Sequence, residues 1–152
     1  MIEIVTATED LARALVPLMT EIDQSDLARL SGGTALDALL HGVRASTYGF
    51  CAVESGIPLA MGGVIPHGSL LSSSGWVWLV TQPQATAKPI TFLRHAKRQI
   101  AIMKTMFATL QNFERVGKEN SRHWVEWLGF QFGEETEVNG IRVMPIEVKS
   151  WA

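Results

Sequence analysis

The residues best equipped for chemistry lie in two stretches of the chain. The first runs from Thr81 through Gln82-Pro83-Gln84-Ala85-Thr86-Ala87-Lys88-Pro89 into a segment carrying Arg94, Lys97, Arg98 and Lys104. Lys88, Arg94, Lys97 and Arg98 crowd the first half of the helix expected there, where the helix dipole disfavours cations. An anion, such as a phosphate or an acidic partner surface, would relieve that cost. The plainer reading of the same charges is the solvated face of an amphipathic helix. The second stretch runs from Glu114 to Phe132 and holds His123 and Glu126. Histidine suits acid–base work because it titrates near neutrality, and a carboxylate serves as a base. On a helix surface both also read as ordinary solvated groups. His67 falls in a polar loop and Glu54 in a turn, neither with an evident partner. The 4 histidines and single cysteine are scattered and match no zinc spacing.

Regular elements must position these residues. Ile2-Glu3-Ile4-Val5 reads as a strand. Thr6 or Thr8 caps a helix with Glu9 and Asp10 in its first turn, and Pro17 kinks or ends it. Ser25-Asp26 start a second helical piece through Leu30. After the Ser31-Gly32-Gly33 break, Thr34 caps a third, with Leu36, Leu39, Leu40 and Val43 on one face. Tyr48 to Val53 and Leu59 to Ile65 form a hairpin around Ser55-Gly56. Trp76-Val77-Trp78-Leu79-Val80-Thr81 is continuous, aromatic and β-branched, as a central strand should be. Ile90, Leu93, Ala96, Ile100, Met103, Phe107 and Leu110 repeat at three- and four-residue steps, which predicts one long helix. Phe113 to Val116 is a strand. Trp124, Trp127 and Leu128 then line one face of a short helix that stops at Gly129. Gln131 to Thr136 and Ile141 to Val148 close a last hairpin across Asn139-Gly140.

The 152 residues fit one domain spanning 1–152, large enough to need no metal or disulfide staple. Apolar residues make up 47% and charged ones 18%, which excludes a disordered chain. A net charge of −2 gives no general attraction for nucleic acid or anionic membranes. Cys51 has no intrachain partner, which fits a reducing compartment. Met1-Ile2-Glu3-Ile4 lacks the basic flank of a signal peptide, and no apolar run reaches membrane-spanning length. A cytoplasmic location is the expectation.

The order of elements, β-α-α-β-β-β-α-β-α-β-β, indicates an α/β (α+β) chain with a mixed, largely antiparallel central sheet. Together with a helix that ends on Leu128-Gly129-Phe130 just before a strand, this order resembles the GNAT acyltransferase superfamily over nearly the whole chain. The Trp76–Thr81 strand, the loop into a basic helix, and His123-Trp124-Val125-Glu126-Trp127-Leu128-Gly129 resemble, more narrowly, short phage-encoded GNAT-like proteins. The internal virion protein of podophages is one of these.

The resemblance implies acetyl-CoA as cofactor and a small-molecule or protein amine as acceptor. It implies that the fourth strand, at Leu79, Val80 and Thr81, and the turn at Ala85, Thr86, Ala87 and Lys88 hold the cofactor. Asn120 is the counterpart of a family asparagine that contacts it, although Lys118 occupies the usual spacing and Asn120 also reads as a helix cap. Two departures stand out. Active members carry Gln/Arg-x-x-Gly-x-Gly/Ala in the turn, whereas residues 82–89 contain no glycine and have Pro83 and Pro89. The tyrosine that commonly protonates the leaving thiolate is replaced by Val125. For a base, the fourth strand offers Thr81 and no carboxylate, which leaves His123 and Glu126 as the candidates.

Two functions follow. One is an acetyl-CoA-dependent acyltransferase whose chemistry rests on backbone polarisation and proximity. The other is a catalytically silent GNAT fold, virion-associated or binding a phage or host protein. Trp151, near the terminus, marks a contact with another chain, for instance in a homodimer.

Overall fold

A computed structural model describes residues 1–69, 71–117 and 119–150; the side chains of residues 119–121 lie outside the description. Eight strands form one sheet in the order β1-β2-β3-β4-β5-β8-β6, with β7 also paired to β8. The strands are β1 (Ile2–Thr6), β2 (Tyr48–Glu54), β3 (Ile57–Pro66), β4 (Ser74–Thr81), β5 (Thr109–Arg115), β6 (Gln131–Phe132), β7 (Thr136–Val138) and β8 (Ile141–Lys149). Every pair is antiparallel except β4 with β5. A parallel pair needs a crossover, and α4 (Pro89–Lys104) supplies it. The other helices are α1 (Glu9–Leu15), α2 (Glu21–Ser31), α3 (Ala35–Ala45) and α5 (Glu119–Trp127).

Local chemistry accounts for most boundaries. Thr8, Thr20 and Thr34 each accept a backbone N–H at the start of a helix, and Thr34 forms a reciprocal capping box with Asp37. Pro17 sits in a short 3-10 turn that ends α1. Ser55-Gly56 and Asn139-Gly140 adopt positive φ throughout, as tight hairpins require. At the end of α5, Gly129 N–H bonds the Glu126 carbonyl and Phe130 N–H the Val125 carbonyl, with Gly129 at φ 100°. That is a Schellman stop, with Val125 and Phe130 packed in the same core.

Four boundaries differ from the sequence reading. Helix α2 begins at Glu21, because Thr20 caps it, instead of at Ser25. The long apolar stripe is not one helix. Helix α4 ends at Lys104, where the Thr105 hydroxyl takes the Ile102 carbonyl at 2.6 Å. Phe107 and Leu110 are buried from a turn and from β5, and Ile90, at the other end of the stripe, is 74% exposed. Strand β5 therefore starts at Thr109, four residues before Phe113. The last hairpin is broken: β6 and β7 are separate pieces that pair with different parts of β8.

The sheet carries a core on each face. Helices α4 and α5 cover Val64, Val77, Leu110 and Val148 with Ile100, Met103 and Phe130. Helices α1 and α3 cover Cys51 and Met61 with Ala12, Leu15 and Leu39. Among the described residues, no helix is long and apolar enough to cross a membrane.

Candidate functional site

Strands β4 and β5 stay paired for only three residues, Ser74 with Thr109, Gly75 with Leu110 and Trp76 with Gln111. Beyond Trp76, β4 continues five residues along β3, whereas β5 turns away with β8. The result is a wedge-shaped gap in the middle of the sheet. At its apex the Asn112 side-chain amide donates to the Val77 carbonyl, and the Asn112 oxygen accepts from the Phe113 N–H at 2.7 Å. One side chain thus replaces the missing rung and holds the strands apart.

Strand alternation then settles which backbone groups face the gap. The Val77 carbonyl points toward β5, and the Gln82 N–H points toward β3, bonding the Leu59 carbonyl at 3.0 Å. Within a strand, neighbouring residues direct their backbone groups to opposite sides. Leu79 and Thr81 therefore turn their N–H and C=O groups into the gap, and Val80 turns its own toward β3. The Leu79 side chain is 43% exposed on the α4 face. Gly62 makes the flat seat behind this segment: a Cβ there would fall 2.6 Å from the Trp78 carbonyl oxygen and 2.9 Å from the Phe50 ring.

The gap leads to the start of α4. Residues Pro83–Thr86 form a 3-10 turn in which buried Gln82 accepts from the Gln84 N–H at 3.1 Å and donates to the Pro58 carbonyl at 3.3 Å. Ala85 faces inward, 7% exposed, against Ala52, Leu59 and Ala60. Its side chain belongs to the core, so the turn offers only the backbone of Ala85 to a ligand. Ala87 and Lys88 are exposed and Thr86 half-buried. Lys88 stands at the N-cap of α4 without a side-chain cap, and no acidic residue occupies the first turn.

Across the gap, α5 sends Trp124 against Phe92 of α4, with ring centroids 5.2 Å apart. Trp127, 54% exposed, lies under the Lys97 ammonium at 5.0 Å. Lys97 is therefore occupied by an aromatic ring, unlike exposed Arg94 and Arg98. With Trp124, Trp127 and Leu128 turned toward α4, the opposite positions of α5 face solvent. His123 is exposed, and Glu126 is exposed and accepts from Arg122 Nε at 3.1 Å. The structure brings neither candidate to the gap. The expected contacts of Asn120, Lys118 and Trp151 fall on groups outside the described residues.

Beneath α4 lies a cavity of about 60 Å³, lined by Ile4, Phe50, Ala52, Ala60, Val77, Leu79, Phe92, Ala96, Ile100, Met103 and Leu128, with Trp78, His95 and Gln99. Nothing in the sequence marks His95 and Gln99, because the apolar stripe at Leu93, Ala96 and Ile100 dominates that segment. Gln99 is 5% exposed and accepts from the Tyr48 hydroxyl at 2.6 Å. Burial pushes the Tyr48 phenol above its ordinary value, so Tyr48 stays neutral and holds Gln99 in place. Its place in the first position of β2 hid this role, which only the fold reveals.

On the opposite face of the sheet, Trp76 packs between His67 at 4.9 Å and Phe113 at 5.7 Å. The Gln111 amide also contacts the His67 ring. The fold thus carries His67 from its loop to the apex of the gap. Nearby, Arg115 forms an ion pair with Asp26 of α2. Cys51 is fully buried among the α1 and α3 contacts, and burial pushes its thiol up to about 11, so it is no nucleophile at neutral pH. Among the described residues no cluster of His, Cys, Asp or Glu could hold a metal ion.

No protein-family model and no curated protein sequence matches the chain. Solved structures do. A suspected phosphinothricin N-acetyltransferase superposes with a TM-score of 0.75 at 12% identity, covering 98% of each chain. Spermidine N-acetyltransferase from Vibrio cholerae, in complex with CoA and spermine, gives 0.71 at 12% identity, covering 99% of this chain and 96% of its own. Ribosomal-protein-S5-alanine acetyltransferase from Vibrio fischeri gives 0.68 at 14%, covering 98% and 93%. The chain has the GNAT fold. Identity this low carries the fold and not the activity. In this structure Leu79 and Thr81 border the parted strands, and Ala87 and Lys88 lie at the start of α4.

Proposed function

We propose that the chain is an acyltransferase that moves an acyl group from acyl-CoA to an amine. The observation that carries this reading is the separation of β4 from β5 after Trp76, which leaves the Leu79 N–H facing an open gap. That the V. cholerae neighbour was solved with CoA supports the choice of donor. Acyl-CoA supplies an activated thioester; the chain supplies a place for it. The Leu79 N–H, fixed by the β3 ladder, is a preorganised donor for a carbonyl oxygen that gains negative charge during amine attack. The uncapped start of α4, with Lys88 beside it and exposed Ala87 allowing approach, suits a phosphate group. Pro83 and Pro89 remove two N–H donors from that region, so it offers fewer contacts than a glycine-rich turn. Val125, where the resemblance implies tyrosine, has no proton to give the departing sulfur. The reaction rests on orientation and polarisation, which contribute much of the barrier reduction in acyl transfer.

The deciding experiment is titration of CoA and acetyl-CoA by calorimetry and thermal shift. A ligand specific for the folded state, at a hundred times its Kd, adds about 2.7 kcal/mol of stability. Micromolar binding is the expected result, followed by a screen of amine acceptors. No binding at millimolar ligand would overturn the reading. Val125, the two prolines and the inward-facing Ala85 favour a second reading, a silent GNAT fold that serves as a phage virion or phage–host interaction protein. Absence of CoA binding, with capture of one defined partner, would establish it.

A further inference from the structure

Resting on the acyl-CoA reading, we infer that the cavity beneath α4 receives the acyl group, and that the preferred donor carries an unbranched apolar chain longer than acetyl. The cavity begins where the reaction must occur. Val77 and Leu79, the first two β4 residues on the α4 face beyond the last paired position, line it, and so does Leu128 at the end of α5 on the far side of the gap. From there it runs under α4 across β3 and β2 to Ile4 of β1. A thioester carbonyl held at the Leu79 N–H would direct its alkyl tail into this space.

The cavity exists because small residues stand where core positions normally hold larger ones. Ala52 and Ala60 are buried on adjacent strands, and Ala96 faces them from α4. A Leu or Ile at any of these positions would occupy the space. The wall is otherwise aliphatic or aromatic; its polar side chains are His95 and Gln99, and Gln99 already accepts from Tyr48, whereas the Trp78 indole points to the α3 side and donates to Ser46. A packed interior rarely keeps such space, and an apolar void stays dry and takes apolar guests. A water-sized guest needs roughly 10–15 Å³, so about 60 Å³ holds about four to six such atoms. A butyryl or hexanoyl group, with three or five carbons beyond the carbonyl, fits within that space.

The test is a calorimetric series with CoA, acetyl-CoA, butyryl-CoA and hexanoyl-CoA on the full chain, repeated with Ala96→Leu and Ala52→Val. Affinity should rise about tenfold or more from acetyl-CoA to butyryl- or hexanoyl-CoA. Ala96→Leu should bring the ratio of hexanoyl-CoA to CoA affinity close to one. Ala52→Val serves the same purpose from the strand side if the helix variant fails to fold. Equal affinity for all acyl lengths, or a gain that survives both filled variants, would overturn the inference while leaving acyl-CoA binding intact. Failure of CoA itself to bind would overturn the proposed function, and this inference with it.

Discussion

Helices α3 and α4 lie on opposite faces of the same sheet, and their N-termini are built in opposite ways. At α3, Thr34 accepts the Asp37 N–H at 3.0 Å, and Asp37 accepts the Thr34 N–H at 3.2 Å. Two free backbone donors are satisfied and a carboxylate sits on the positive end of the dipole. Helices α1 and α2 follow the same rule, with threonine caps and acids in the first turn. Helix α4 alone among these four has a lysine at the cap, no side-chain cap and no acid in its first turn. Its C-terminal end is ordinary, with Lys104 in the last turn and Thr105 on the final carbonyls. The exception is thus at the helix start that follows β4 and the 83–86 turn, beside the gap between β4 and β5. Three helices use their first turns for stability; the first turn of α4 has neither a side-chain cap nor an acid, which is the contrast the proposed function draws on.

The largest effect that would sharpen this contrast is in the capped half. A Cβ at Gly42 of α3 would lie 2.8 Å from the Trp78 ring. Gly42→Val should cost about 3 kcal/mol through overpacking, read as a lower urea midpoint with an unchanged slope. A smaller loss would mean that α3 shifts on the sheet to make room at Trp78. Next is Lys88→Asp, which gives α4 the acidic cap the other helices have. CoA affinity should fall about tenfold, equivalent to about 1.4 kcal/mol, while thermal stability without ligand rises slightly. If both stability and affinity fell, Lys88 would be a structural contact, and the contrast between the two helix starts would collapse. Smallest is Thr34→Ala, expected to lower stability by about 1 kcal/mol and to leave the CoA titration as it was. A change in CoA affinity in that variant would show that the two faces are coupled.

How far the site was legible can be judged residue by residue. The strand Trp76–Thr81 is legible from its continuous aromatic and β-branched run, and the resemblance implies a cofactor role for Leu79, Val80, Thr81 and residues 85–88; the fold puts the end of that strand and the turn beside the gap. Ala85, a small residue in the turn that the resemblance implies for a cofactor, has its side chain buried because Gln82 folds the turn inward onto β3. His123 and Glu126 were singled out for chemical type, but the position of Trp124, Trp127 and Leu128 on the inner stripe of α5 turns them outward. His67 lies in the loop after β3, as its sequence suggests, and only the fold shows that its ring packs on Trp76.

The sequence by itself determined what depends on neighbours within a few positions. Thr34 with Asp37, the stop at Gly129, the Asn139-Gly140 turn and the end of α1 at Pro17 are all set by backbone preferences of adjacent residues. The mixed, largely antiparallel sheet followed because those short-range elements come in an order few topologies accommodate. Tertiary structure alone decided where β4 leaves β5, since that depends on Asn112 reaching Val77, 35 positions away. It also decided where α4 ends and β5 begins, because Leu110 is buried equally well by a helical stripe or by a ladder with Val148. The cavity under α4 has the same origin: Ala52, Ala60 and Ala96 are unremarkable in sequence, and only packing from two strands and a helix makes them the walls of one space.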